Sequence, residues 1–138
     1  MRRLRPGAAF GADLIAGFPT ETEEMFQQTM NLVDEAGLSM LHVFPFSARA
    51  GTPAARMPQV DKSFAKDRAR RLRVKGEVAI AARHANLVGT TQTILVEKNG
   101  LGRTECFAPV TLDAQAMPGA FVTARITGAS VKELRAAA

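Results

Sequence analysis

The sequence predicts two fold classes in succession, an α/β portion over residues 1–88 and a small all-β barrel over residues 89–138. Three observations carry this. Two apolar runs, Ala8 to Phe18 and Met40 to Phe46, flank a segment of helical period, which is the pattern of a strand–helix–strand crossover. A long stretch from residue 61 to 88 is charged and free of proline. From Gly89 the texture becomes β-branched, with turn residues at short intervals, as in small closed barrels.

The run Ala8 to Phe18 is apolar nearly throughout, as a strand buried on both faces of a parallel sheet would be. Thr20 and Glu23 have capping-box spacing. Glu21, Glu23 and Glu24 suit the positive end of a helix dipole. Phe26, Met30 and Val33 then share one helical face, and Gly37 ends the helix. Met40 to Phe46 is the next strand. Two parallel strands do not make a stable sheet alone, so further units are expected to complete it. Residues 1–60 by themselves are expected to be marginal, with an open sheet edge.

Residues 47–60 read as a loop broken by Gly51, Pro53 and Pro58. Residues 61–88 read as one helix, with Phe64, Ala65, Ala69, Leu72, Gly76 and Ala79 on one face. The domain boundary is expected near Asn86 to Gly89. Beyond it, Gly89 to Glu97 is a strand, Asn99-Gly100 a hairpin signal, and Arg103 to Leu112, Ala120 to Thr127 and Ser130 to Leu134 further strands.

Composition narrows the function. The 138 residues are 46% hydrophobic and 22% charged, which are globular proportions. No apolar run spans a bilayer, and the basic start lacks the pattern of a signal peptide, so a cytoplasmic protein without membrane contact is expected. Cys106 is the only cysteine, and His42 and His84 the only histidines. No disulfide, multi-cysteine metal site or iron–sulfur cluster can be built from that set. The net charge of +5 is concentrated in residues 61–88, which carry eight Lys or Arg against three acids. A concentrated basic stretch suits a phosphate-bearing partner, though a solvated helix surface explains it equally well.

Two segments carry the site. Gly11 to Thr22 places a strand ending in Gly17-Phe18-Pro19 at the carboxyl edge of the sheet, where α/β proteins bind ligands. Gly17 lets the backbone approach a flat ligand. Taken by itself, an ordinary strand-to-helix turn explains this segment better. Leu41 to Ala55 again runs from a strand into a polar loop. There Arg49 can meet a carboxylate or phosphate or simply be solvated, while His42 lacks an evident partner for acid–base work.

Together the two segments resemble the later part of the radical S-adenosylmethionine domain of tRNA methylthiotransferases. That family writes Asp-Leu-Ile-x-Gly-Phe-Pro-Gly-Glu-Thr, where this chain has Asp13 to Thr22 with Thr20 in place of the glycine. It then writes His-Val-Phe-Pro-Tyr-Ser and Arg-x-Gly-Thr-Pro-Ala, where this chain has His42 to Ser47, with Phe46 for the tyrosine, and Arg49 to Ala54. Val96-Glu97, Gly100, Gly102, Thr104, Pro109-Val110 and Gly119 are similar to the TRAM domain that closes these enzymes. His42-Val43-Phe44 followed by Gly51 to Ala55 looks most like the branch acting on N6-threonylcarbamoyladenosine beside the anticodon.

The resemblance implies the carboxyl-terminal strand–helix units of a partial (β/α) barrel, followed by a TRAM, OB-like barrel. It implies a transferase that places a methylthio group on carbon 2 of the adenine, using S-adenosylmethionine and two [4Fe-4S] clusters. By the same resemblance Asp13, Gly17, Phe18, Pro19, Val43, Phe44 and Pro45 border the adenine of S-adenosylmethionine. No residue here is expected to be a general acid or base, or a cluster ligand. In the barrel, Lys98, Arg103 and Arg125 are candidate phosphate contacts for tRNA. Phe107 and Phe121 are expected in the core, with stacking on bases as the alternative. The chain is thus expected to be a truncated piece, inactive alone, whose start resembles the interior of a longer enzyme. The alternatives are a stand-alone RNA-binding module without catalysis, or one half of a split enzyme with a missing amino-terminal polypeptide.

Overall fold

The computed structural model describes residues 3–98, 100–113 and 115–137. The chain forms two compact units: residues 9–79, and residues 80–138 together with 1–8. The first unit contains β1 (Gly11–Ala16), α1 (Glu23–Glu35), β2 (Met40–Pro45), a 3₁₀ turn (Pro53–Arg56) and most of α2 (Lys62–Ala85). β1 and β2 pair in parallel, with Asp13 opposite His42 and Ile15 opposite Phe44.

One face of this sheet is covered by helices. Ala16 and Val43 pack with Phe26 and Val33 of α1 and with Ala69 and Leu72 of α2, supported by Leu14, Met30, Leu38 and Leu41. The expected apolar face of α2 is present at Ala65, Ala69 and Leu72, which are buried, but Phe64 on the same list is exposed. Gly76 lies against Leu41, where a Cβ would come within 3.2 Å of the leucine Cβ.

The basic residues of α2 bind the helix into this unit. Arg68 and Arg71 pair with Glu21 and Glu23, and Lys75 with Asp34. Arg73 donates to the Val43 carbonyl at 2.9 Å. The concentration of charge that suggested a phosphate partner is, for these four residues, taken up by internal pairing.

The start of α1 differs from expectation. Its cap is Thr22, with extended backbone and a side chain that accepts from the Met25 N–H. Thr20 cannot serve, because its φ of 69° is left-handed and a cap residue needs extended geometry.

The second unit is a closed five-stranded barrel ordered β3 (Thr91–Lys98), β4 (Leu101–Thr104), β5 (Pro109–Leu112), β7 (Leu134–Ala137), β6 (Phe121–Ala129). All pairings are antiparallel except β5 with β7. A five-stranded barrel that mixes one parallel pair with antiparallel ones is the OB-like architecture. Its core is Ile94, Val96, Ala108, Val110, Leu112, Ala124, Ile126, Leu134 and Ala136, with Leu87 packed against it.

Two strand expectations change. The run from Arg103 to Leu112 is two strands, β4 and β5, joined by a turn at residues 105–108. Ser130 to Leu134 is a turn held by Ser130, whose Oγ accepts from the N–H groups of Lys132 and Glu133, and the strand begins only at Leu134. The Asn99 half of the expected hairpin lies outside the described residues. Gly100 takes φ of 74° there, as a tight turn needs.

The end of α2 groups with the barrel unit. His84 is 1% exposed and its Nδ1 lies 2.7 Å from the Ser130 carbonyl. The last turn of α2 therefore belongs with the barrel, as do residues 3–8. There the Gly7 carbonyl accepts from Arg83 Nη2 at 2.6 Å and from Cys106 Sγ at 3.1 Å.

Candidate functional sites

The first candidate site is the strand-to-helix turn after β1. Gly17 has φ of 76°, and a Cβ there would sit 2.4 Å from that of Ala65 on α2. Only glycine is accommodated, and close approach of α2 is the reason. The Gly17 N–H donates to Glu21 Oε2 at 2.9 Å. Arg68 Nη1 donates to Glu21 Oε1 and to the Glu21 carbonyl, both at 2.9 Å. Arg68 is 7% exposed, so its ion pair works at low local dielectric and holds the turn in one geometry. Arg68 and Arg71 also lie over the Phe26 ring, with guanidinium carbons 5.7 and 4.6 Å from its centroid, an attractive geometry for a cation and a π face. The partnerships of Arg68 were not evident in the sequence, because Arg68 lies 47 residues from Glu21.

The second feature is the sheet face opposite the helices. Asp13, Ile15, His42 and Phe44 are all exposed, and their register places them side by side. Ile15 and Phe44 are more than half exposed, an unusual state for apolar residues at the centre of paired strands. Phe18 stands at the carboxyl edge with its ring against Phe46, centroids 5.3 Å apart in an edge-to-face arrangement.

Of the seven residues expected to border a ligand, Asp13 and Phe44 share this open face, and Phe18 and Pro45 are exposed at the strand ends. Gly17, Pro19 and Val43 are buried, and the Val43 side chain belongs to the core beneath the sheet. The structure does not bring it to the same surface. Ile15 is the residue of the open face that sequence reading missed. Its alternation with Leu14 was hidden in a run that is apolar on both sides.

The third site is the barrel exterior. Lys98, Arg103 and Arg125 are all exposed. Arg103 Nε donates to Glu97 Oε1 at 2.9 Å, so part of its charge is answered locally. Phe107 and Phe121, expected in the core, are 71% and 74% exposed. Both fall on the outward phase of their strands or turns, and the barrel interior is already filled by smaller side chains.

An iron–sulfur cluster does not fit these residues. Cys106 is the only thiol, and it is half-buried at the β4–β5 turn. Among the described residues no three His, Cys, Asp or Glu side chains converge to hold a metal. Cluster ligation takes several thiolates. No helix of the described residues is long and apolar enough to cross a membrane.

No protein-family model matches the chain, but individual proteins do. It is 47% identical over 128 residues to threonylcarbamoyladenosine tRNA methylthiotransferase MtaB of Rickettsia prowazekii, covering 93% of this chain and 30% of that protein. It is 36% identical over 140 residues to tRNA-2-methylthio-N(6)-dimethylallyladenosine synthase of Bartonella bacilliformis, again covering 30% of that protein. The MtaB of Bacillus subtilis is 51% identical over 73 residues, 52% of this chain. The chain thus spans under a third of the length of these relatives.

Proposed function

Since the chain belongs, over 93% of its length, to the family of tRNA methylthiotransferases, we propose that it supplies two parts of such an enzyme. One is a wall of the cofactor cavity, and the other is a barrel that grips tRNA. The observation that carries the first part is the open sheet face of Asp13, Ile15, His42 and Phe44. An apolar patch bordered by an acid and an imidazole suits a flat, hydrogen-bonding ring such as an adenine. Asp13, Phe44, Phe18 and Pro45 would meet S-adenosylmethionine there, with Gly17, Pro19 and Val43 shaping the backbone and the layer beneath. S-adenosylmethionine, when bound beside a reduced cluster, supplies the radical chemistry of this family. The [4Fe-4S] clusters would be held by cysteines outside these 138 residues, on the same or a separate amino-terminal polypeptide.

The substrate reading is N6-threonylcarbamoyladenosine in tRNA, receiving a methylthio group on carbon 2 of its adenine. The higher identity to the relative named for that nucleoside supports it over the dimethylallyl branch. Such a substrate puts the work in the cytoplasm. Lys98, Arg103 and Arg125 on the barrel are the proposed phosphate contacts.

A chimera tests this. This chain replaces the matched 128-residue stretch of the Rickettsia enzyme, and the product is scored by mass spectrometry of tRNA nucleosides. The expected result is methylthiolated threonylcarbamoyladenosine. A folded chimera that carries its clusters yet leaves the nucleoside unmodified would contradict the reading.

A further inference from the structure

The β4–β5 turn breaks two local rules at one residue. Phe107 has φ of 63°, a left-handed conformation in which a bulky side chain is a genuine outlier. Hairpins of this kind ordinarily place glycine there. The same residue leaves its ring 71% exposed. The turn is otherwise well made: the Phe107 N–H donates to the Thr104 carbonyl at 2.9 Å, the Thr104 N–H donates to the Ala108 carbonyl at 3.1 Å, and the Ala108 N–H donates to Thr104 Oγ1 at 3.2 Å. A residue that costs the fold in both backbone and solvation signals a role outside the fold.

Its surroundings indicate what that role is. Phe121 is paired across from Leu95, Leu95 from Arg103, and Arg103 from Pro109. These four form one transverse row across β6, β3, β4 and β5. Phe121 and Leu95 in that row face solvent, and so does the Arg103 side chain. Arg103 Nη1 donates to the Phe107 carbonyl at 3.3 Å, which ties the turn to the row. Four residues along β6 from Phe121, Arg125 is exposed on the same face, roughly 13 Å away at the usual rise of a strand. At the other end, Lys98 is paired with Leu101. The surface is therefore an apolar, aromatic centre, crossed by the exposed Arg103–Glu97 ion pair, with a further cation, Arg125 or Lys98, at each end.

We propose that this outer face stacks unpaired bases of a single-stranded RNA segment, with Phe107 and Phe121 as the stacking rings and Arg125 and Lys98 on the flanking phosphates. The inference rests on the reading of the barrel as an RNA-gripping module and names the contact that reading lacks. Aromatic platforms flanked by cations are how β-barrels hold single strands. An apolar protein partner is the less favoured occupant, because cations at both ends of the patch complement a polyanion.

The test uses the full chain and a short fluorescein-labelled RNA, single-stranded or annealed to its complement, followed by anisotropy at low salt. Single-stranded RNA should bind more tightly than duplex. Phe121→Ala should weaken it about tenfold without changing the salt slope. Phe107→Gly should weaken it while leaving the melting temperature unchanged or raised, since glycine relieves the left-handed backbone. That pairing of results separates a binding role from a structural one even if another variant folds poorly. Arg125→Ala should instead reduce the salt slope by about one.

If the unaltered chain binds no RNA at low salt, the RNA reading of the barrel fails and the stacking site with it. If it binds and both phenylalanine variants bind equally well, stacking alone is overturned. A change of oligomeric state in Phe121→Ala with unchanged RNA affinity would assign the surface to a protein interface and likewise overturn the proposal.

Discussion

Thr20 and Phe107 are the two non-glycine residues with positive φ among the described residues, and they have different explanations. Thr20 stands where the family pattern has glycine, in the turn after Gly17-Phe18-Pro19, with its N–H donating to the Pro58 carbonyl at 3.2 Å. A β-branched residue is strained there. Thr20→Gly is expected to stabilise the chain by about 0.5–1 kcal/mol, the relief of strain less the added freedom of the unfolded glycine. Thermal denaturation reads this as a raised midpoint, and a lowered midpoint would show that the threonine side chain contributes more than its backbone costs. The opposite substitution at Gly17 has no room, because Ala65 occupies it. The sequence signalled Gly17 clearly, but as a ligand contact; that a helix fills the space beside it depends on a residue 48 positions away.

At the scale of elements, α1 and α2 are joined by charge as well as by a shared apolar core. Arg68 is the centre of this, bonded to Glu21 and Glu23 and lying against Phe26. Removing one partner of a buried pair leaves the other uncompensated. Arg68→Ala should therefore cost about 3 kcal/mol of stability in denaturant titration; a cost below about 0.5 kcal/mol, the size of an ordinary surface change, would contradict the pairing. Both helix starts also titrate. The Glu24 carboxyl is held below its ordinary 4.5 by its own N–H and by Thr22, and the Asp61 carboxyl below its ordinary 3.8 by the Ser63 hydroxyl and N–H. Folded values lowered in this way add stability above the ordinary values, and it is lost as pH falls through the folded ones. The melting midpoint should drop on acidification below 4.5 and again below 3.8. Asp61→Asn, which keeps a capping oxygen without the charge, should flatten the lower part of that slope.

Elements were legible where pattern and turn chemistry agreed. β1, α1, β2, α2 and the β3–β4 hairpin follow apolar period and glycine punctuation. They are hidden where a turn uses an unexpected residue. The β4–β5 turn has Phe107 in the place a glycine would mark, so the run from Arg103 to Leu112 reads as one strand. The cap of α1 is hidden because Thr20, with Glu23 three positions on, has the capping-box spacing, whereas Thr22, which caps, has Met25 there; only backbone φ chooses between them. Hydrophobicity places Phe107 and Phe121 in the core, whereas strand phase, fixed by alternation with Ala124 and Ile126, turns Phe121 outward and Phe107 lies in the β4–β5 turn.

At the scale of the whole molecule, the two units have different claims to independence. The barrel is closed, with every strand paired on both sides, so it has no open edge. The other unit pairs β1 and β2 only with each other among the described residues, and leaves Ile15 and Phe44 uncovered on the sheet face. Amide exchange should be slow in the barrel strands and faster in β1 and β2, since stability in a chain of this kind is not uniform. Equal protection in both would contradict the reading of the first unit as part of a larger sheet. That difference follows from the strand count, which the sequence revealed, and from barrel closure, which it suggested only through the spacing of turns.

The proposed grip on tRNA rests on a small number of phosphate contacts on the barrel. The most direct measurement is the affinity of the full chain for tRNA as a function of salt. With Lys98, Arg103 and Arg125 as the contacts, log K should fall linearly with log salt, with a slope of about −2 to −3. Replacing all three by alanine should remove most of that slope. Absence of tRNA binding at low salt, or a slope unchanged by the triple replacement, would contradict a phosphate grip by these three residues.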